Sequence, residues 1–231
     1  MAMNWNSFIE DLVGIFKTPG QTLGKLMKSR NWVPMFLILV IIMGLVTYFT
    51  FPAKMAQMAK DPRYAEIMGG EKAPYFVNNS TFARTMGTFT SVFVLFVTLV
   101  MGAFFLYLFF GIGGSDGLFN NYFTLVVHAS VIDVVIPLLL SSLSIVTGIG
   151  FSAVATPFNL ILSPDPKSFI FLVLGALNIF TLWYHVVVAA GIHVFSNLSF
   201  KKCMTISILY FLFKAVVSVG FSYIAMKIMG F

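Results

Sequence analysis

Apolar residues run along this chain in long blocks rather than in alternation with polar ones, and the blocks recur five times. They cover roughly 32–52, 86–110, 118–148, 168–195 and 203–229. A helix needs about 20 predominantly apolar residues to cross the roughly 30 Å hydrocarbon layer of a bilayer, and each block reaches that length. The predicted fold class is all-α: a polytopic membrane helical bundle. Five transmembrane helices occupy residues 32–231, behind a short amphipathic cytoplasmic arm at 1–31.

The polar intervals carry their own signals. Within 7–16, Phe8, Ile9, Leu12, Ile15 and Phe16 share one broad side of a helix, with Ser7 and Glu10 in capping-box register. The turn at Lys17, Thr18, Pro19 and Gly20 stops it. A second short helix follows at 21–29, with Leu23, Leu26 and Met27 beside Lys25 and Lys28. Such stripes suit a helix lying in the headgroup zone, and equally an arm packed across the ends of the bundle. Trp32 and Pro34 open the first crossing, one favouring the interface and the other tolerated in a first turn. Pro52 marks its far end.

Residues 53–85 make the one sizeable extramembrane loop, with a helix expected over 53–68 and interrupted near Asp61 and Pro62. Chains below about 40 residues seldom build an independent core. The glycines between Gly111 and Gly117 predict a tight reversal. They resemble a nucleotide-binding loop only superficially, because no phosphate-site lysine follows. Pro137 removes a backbone hydrogen bond and can kink the third crossing, which ends near residue 148. A re-entrant or interfacial stretch is expected at 149–167, with Ser163 to Pro166 leading into the fourth helix. Asn197 to Lys202 form the last short turn.

Composition agrees with a lipid environment. Hydrophobic residues make up 59% of the chain and charged ones 10%, against about 25% charged in soluble domains. The basic pI of about 9.5 is no nucleic-acid signal, since Lys28, Arg30, Lys54, Arg84, Lys201 and Lys202 flank the apolar blocks as anchors. The amino terminus lacks a secretory signal pattern, because Glu10 and Asp11 interrupt it. Lys25, Lys28 and Arg30, with Lys201 and Lys202, favour a cytoplasmic amino terminus. The lone Cys203 excludes an intrachain disulfide.

Ionisable residues inside membrane spans are rare and face the protein interior or water. The third block holds His128 and Asp133, the fourth His185 and the fifth Lys214. At 1.5 Å per residue, His128, His185 and Lys214 each lie about 15 Å from their helix ends, and Asp133 about 22 Å. These four form a candidate intramembrane polar cluster, with Asp133 and Lys214 as the natural ion pair. A histidine pair falls short of the three or four ligands a metal site needs, even with His193 and Cys203 counted. No metal or other cofactor is expected. Asn178 and Thr181 are spaced to line one side of the fourth helix, and small residues such as Gly87, Ser91 and Gly102 allow close helix approach. No hydrolase elbow, zinc-protease motif or phosphate loop supplies catalytic residues.

The segment from Phe16 through Lys17, Thr18, Pro19 and Gly20 resembles the phenylalanine–proline element before the first crossing in the prokaryotic branch of the Yip family. Five close-set helices, a long first loop and the stretch from 185 through Asn197 to Lys202 are similar as well. Eukaryotic members are named for interacting with Rab-type GTPases and act in Golgi and endoplasmic-reticulum trafficking. The resemblance implies a multispanning protein of the bacterial inner membrane or an archaeal plasma membrane, and it supplies no catalytic residues. The long polar amino-terminal region of the eukaryotic relatives is missing, so Rab-dependent trafficking is not carried over.

The expected function is non-enzymatic: organising or recruiting membrane lipids, a membrane-protein partner or a second copy of the chain, and not nucleic acid. The alternative is a small transporter or channel using the Asp/Lys/His cluster. An intramembrane enzyme is a third, more distant reading.

Overall fold

A computed structural model describes residues 5–29, 31–59, 81–148, 161–162 and 169–228. All the regular elements among them are helical. Two short helices, α1 (Trp5–Lys17) and α2 (Pro19–Ser29), form an amino-terminal hairpin. Two long helices follow, α3 (Val33–Ala59) and α4 (Thr81–Ile112), packed side by side. Next, α5 (Phe119–Ser130) runs without a break through a π-helical turn (Val131–Val135) into α6 (Ile136–Thr147). The last elements are α7 (Phe169–Ala176), α8 (Ile179–Phe195) and α9 (Phe200–Ile228). By length and composition α3, α4, α5–α6 and α9 can each cross a bilayer, and α7 with α8, bent by 45° at their junction, adds a fifth if the pair is counted as one span.

The third crossing is the centre of the bundle. Of its most apolar stretch, 61% is buried inside the protein, against 22–28% for the other three long helices. It packs on α3, α4 and α8, and Leu125, Val127, Ala129 and Ile132 are wholly enclosed. The outer helices present Phe49, Phe89, Phe104, Phe221 and many aliphatic side chains outward. In a bilayer, that coat faces hydrocarbon at no cost, which is why an apolar exterior surrounds an apolar interior.

The amino-terminal hairpin lies across one end of this bundle. α2 packs on α8 and α5, burying Leu23, Met27 and Thr22, while Ile15 of α1 is fully enclosed. The absence of a side chain at Gly191 admits Leu23 and Leu125 close to the α8 backbone. Lys25 donates to Asp11 at 2.8 Å across the hairpin. That hydrogen bond first, and the Asp11 charge second, raise the lysine above its ordinary 10.5. The pair is therefore intact at neutral pH and is lost as pH rises through the raised value. Of the two arrangements expected for the arm, this is the packed one, although Ile9 and Val13 remain exposed.

Several expectations need correction. Pro52 does not end the first helix, because α3 continues through it to Ala59. A proline deprives only the carbonyl one turn back, and Thr50 reinforces the same region by donating to the Val46 carbonyl at 2.7 Å. Ser7 lies inside α1, which already begins at Trp5. The fourth block is two helices rather than one, because Asn178 adopts an extended conformation and its side chain accepts from the Phe180 amide at 2.8 Å. The third block ends as expected at Gly148, whose positive φ of 72° closes α6. The helix over 53–68 is seen only as far as Ala59. Its remainder, with Asp61 and Pro62, and nearly all of 149–167 lie outside the described residues.

The break in the fourth crossing generates a prediction. Asn178→Ala removes the cap and costs about 1 kcal/mol of stability. Denaturant unfolding in detergent micelles measures the loss, with Asn178→Asp retaining most of the wild-type value.

Candidate intramembrane polar site

Asp133 stands in the π-helical turn, and local sequence explains the turn. Pro137 has no N–H to offer the Asp133 carbonyl four residues earlier, so the α-helical ladder is interrupted there. The chain widens by one residue, and the Ile136 amide donates to the Val131 carbonyl five positions back. Such turns occur often at functional sites. This one projects a carboxylate out of the most buried helix toward the fourth and fifth crossings.

Thr181 Oγ1 donates to Asp133 Oδ1 at 2.5 Å, and Lys214 Nζ donates to Oδ2 at 3.3 Å. Thr181 lies in the first turn of α8, immediately after the Asn178 cap. The broken fourth block thus brings a helix amino terminus, with its partial positive charge, to the partly buried carboxylate. The Lys214 ammonium also stands 5.8 Å from the Tyr184 ring centroid, within reach of a cation–π attraction. The Asp133 side chain is 17% exposed and that of Lys214 44%, so the lysine reaches inward from the outer helix α9.

The ion pair forms one wall of a cavity of about 280 Å³ between α4, the third crossing, α8 and α9. Thr98, Ser130, Tyr184 and Tyr210 add polar groups to its lining, and Val97, Met101 and Phe105 supply the apolar side. A second cleft of about 310 Å³, between α3, α4 and α6, shares Thr98 and Val134 with the first and extends to Thr47 and Lys54.

The two histidines do not join the pair. His185 is buried, with Nδ1 3.1 Å from Ser207 Oγ, while that hydroxyl donates to the His185 carbonyl at 2.9 Å. Ser207 has one hydrogen and spends it on the carbonyl, so its oxygen accepts from Nδ1–H. Nε2 is then a buried acceptor without a partner. The rings of Tyr184, Tyr210 and Phe211 surround the imidazole at 5.2–5.6 Å. His128 is buried on α5 and donates from Nδ1 to the Thr124 carbonyl at 2.8 Å; it does not line the cavity. His193 donates to the Leu198 carbonyl at 2.8 Å, and the Cys203 thiol lies 4.0 Å from the same oxygen. Among the described residues, no group of three or more His, Cys, Asp or Glu side chains stands together.

Sequence reasoning paired Asp133 with Lys214 but missed Thr181 as the second partner, together with Tyr184, Tyr210 and Thr98. Two signals pointed to them. A proline four residues after an intramembrane aspartate marks a disrupted turn at the acid, and an Asn three residues before Thr181 marks a helix start inside the fourth block.

Removing one partner leaves the other charge in an apolar setting. Lys214→Met is expected to destabilise the protein by about 2 kcal/mol, and Asp133→Asn in the same chain to recover part of the loss. Unfolding of both single variants and the double variant in micelles measures the coupling. A double variant as unstable as the two singles summed would show no pairwise interaction.

The comparisons with known proteins bear on the whole chain. Neither the curated proteins nor the solved structures gave a match. The family model described as Yip1 domain matches residues 13–222, a span running from within α1 into α9. With its apolar helices, the chain is a multi-pass membrane protein, and it belongs to the Yip1 domain family.

Proposed function

We propose that the protein is a non-enzymatic organiser of the membrane that holds lipid and partner proteins against a helical bundle. The carrying observation is a groove of about 330 Å³ between α7 and α9, beside the bend of the fourth crossing. Val173, Ala176, Leu177, Phe211, Ala215 and Val219 line it, together with other wholly apolar side chains. It offers shape and dispersion contacts to an acyl chain and no group that would react with one. The polar side chains of the bundle support the same reading, since Asp133, His128 and His185 are engaged by neighbouring residues. The arm sits on the cytoplasmic side of a bacterial or archaeal cell membrane in this proposal, following its lysines. The exposed apolar faces are where a membrane-protein partner or a second copy would pack.

Filling the groove tests the reading. Val173→Trp with Ala215→Phe is expected to release immobilised lipid. Electron spin resonance of chain-labelled lipids in reconstituted bilayers would then show a smaller motionally restricted fraction per protein. An unchanged fraction in a folded variant would sink the proposal.

A second reading, a small transporter or channel, is favoured by the cavity at Asp133 and Lys214 and its shared wall with the cleft reaching Lys54. Discontinuous helices whose ends face a site near the bilayer midplane are a recurring feature of secondary transporters. Proteoliposome flux measured from mildly acidic to mildly alkaline pH discriminates the two. Flux lost in folded Asp133→Asn supports transport, and no flux of any candidate ion leaves the organiser ahead.

A further inference from the structure

We propose that the cleft between α2, α5 and α8, at the arm end of the bundle, binds the phosphate group of a membrane glycerophospholipid. The proposal deepens the lipid-binding reading above and rests on it. About 300 Å³ is enclosed by Gly24, Met27 and Lys28 of α2, Asn121 of α5, and Val194 and Phe195 of α8.

The decisive group is Asn121. It is 8% exposed, and its side-chain oxygen is buried with no hydrogen-bond partner. An unsatisfied buried amide is costly, and native proteins rarely leave one without a use. Three other polar contacts at this end are made: Asn197 donates to Asp116 at 2.7 Å, Tyr122 donates to Ser115 at 2.6 Å, and Lys25 is paired with Asp11. Lys28, one turn after Lys25, makes no ion pair among the described residues, and its side chain lines the same cleft as the Asn121 amide.

Three further features favour an anion of lipid origin. Asn121 lies in the first turn of α5, whose start at Leu118 has no side-chain cap; the amino-terminal end of this long helix favours negative charge. Met27, Val194 and Phe195 give the cleft an apolar side, which suits the glycerol and first methylenes beneath a headgroup. Trp32, edge-on to Phe123 at 4.9 Å, stands at the start of the first crossing, where tryptophan marks the headgroup level. Lys28 supplies charge to the phosphate, and the Asn121 side-chain nitrogen donates to one of its oxygens. A phosphoglycerol headgroup presents a net negative charge to Lys28. The ammonium of a choline headgroup cancels the charge of its phosphate.

Native mass spectrometry of the full-length protein in detergent, titrated with dioleoyl-phosphatidylglycerol or dioleoyl-phosphatidylcholine, tests this site. One phosphatidylglycerol adduct is expected, at higher occupancy than phosphatidylcholine. Its affinity should fall about tenfold in Lys28→Gln and in Asn121→Leu, since each loses a hydrogen bond to a charged group. Lys28 is exposed, so its variant keeps the fold and holds the test open should Asn121→Leu unfold. Equal binding in wild type and Lys28→Gln would overturn the proposal, as would displacement of the lipid by inorganic phosphate at comparable concentration, which would assign a free-anion site. Chain-labelled lipid immobilised at the α7–α9 groove should be unaffected in Lys28→Gln. If that immobilisation persists while headgroup selectivity is absent, this site fails and the organiser reading stands. If both are absent, both fail.

Discussion

Hydrocarbon neither donates nor accepts a hydrogen bond, so a polar atom in the bundle is stabilised by a partner within the protein. Most of the hydroxyls solve this locally. Thr50, Ser91, Thr124, Ser130, Ser144 and Thr205 each donate to a carbonyl one turn back on their own helix. A carboxylate has no hydrogen to give, so Asp133 cannot use that solution. It must reach donors on other helices, and it finds Thr181 on the fourth crossing and Lys214 on the fifth. One aspartate therefore ties the third crossing to both α8 and α9. The pair contributes net stability only as far as its attraction exceeds the desolvation of its charges, and the lysine stays 44% exposed.

Two backbone irregularities make that contact possible, and each lies beside a partner. The π turn at Val131–Val135 sets the aspartate, and the break at Leu177 and Asn178 sets the threonine. A straight fourth helix would hold Thr181 in mid-helix, where its hydroxyl could fall back on its own carbonyl ladder. Placed in a first turn, it is directed at the acid while the helix end lends a favourable dipole. The same bend separates α7 from the axis of α8 and forms the side of the apolar groove against α9. The polar contact and the apolar groove thus share one structural cause.

Much of this was legible in the sequence. Of the five apolar blocks, four gave helices long enough to cross and one gave a bent helix pair, because block length against bilayer thickness is a strong and local signal. Asp133 and Lys214 were matched because opposite charges at similar depth have few alternatives in lipid. The histidines were read less well. Depth along a helix says nothing about azimuth, and His128 and His185 turn toward a carbonyl and a serine instead of the pair. Pro52 misled because proline's cost is smaller inside a membrane helix than its reputation in soluble ones suggests. Asn178 was placed on a helix face since its capping role depends on the chain having already stopped, which the unbroken apolar run conceals.

The widened turn has one more effect. It accommodates an extra residue, and each residue of an α-helix advances the side chain direction by about 100°. Everything from Ile136 onward is thus rotated by that amount relative to α5. Leu139, Leu143 and Val146 point outward, and Ser142 inward, only because of this single additional position. The third crossing is in effect two half-helices with independently set faces, one fitted to the arm end and the other to α3.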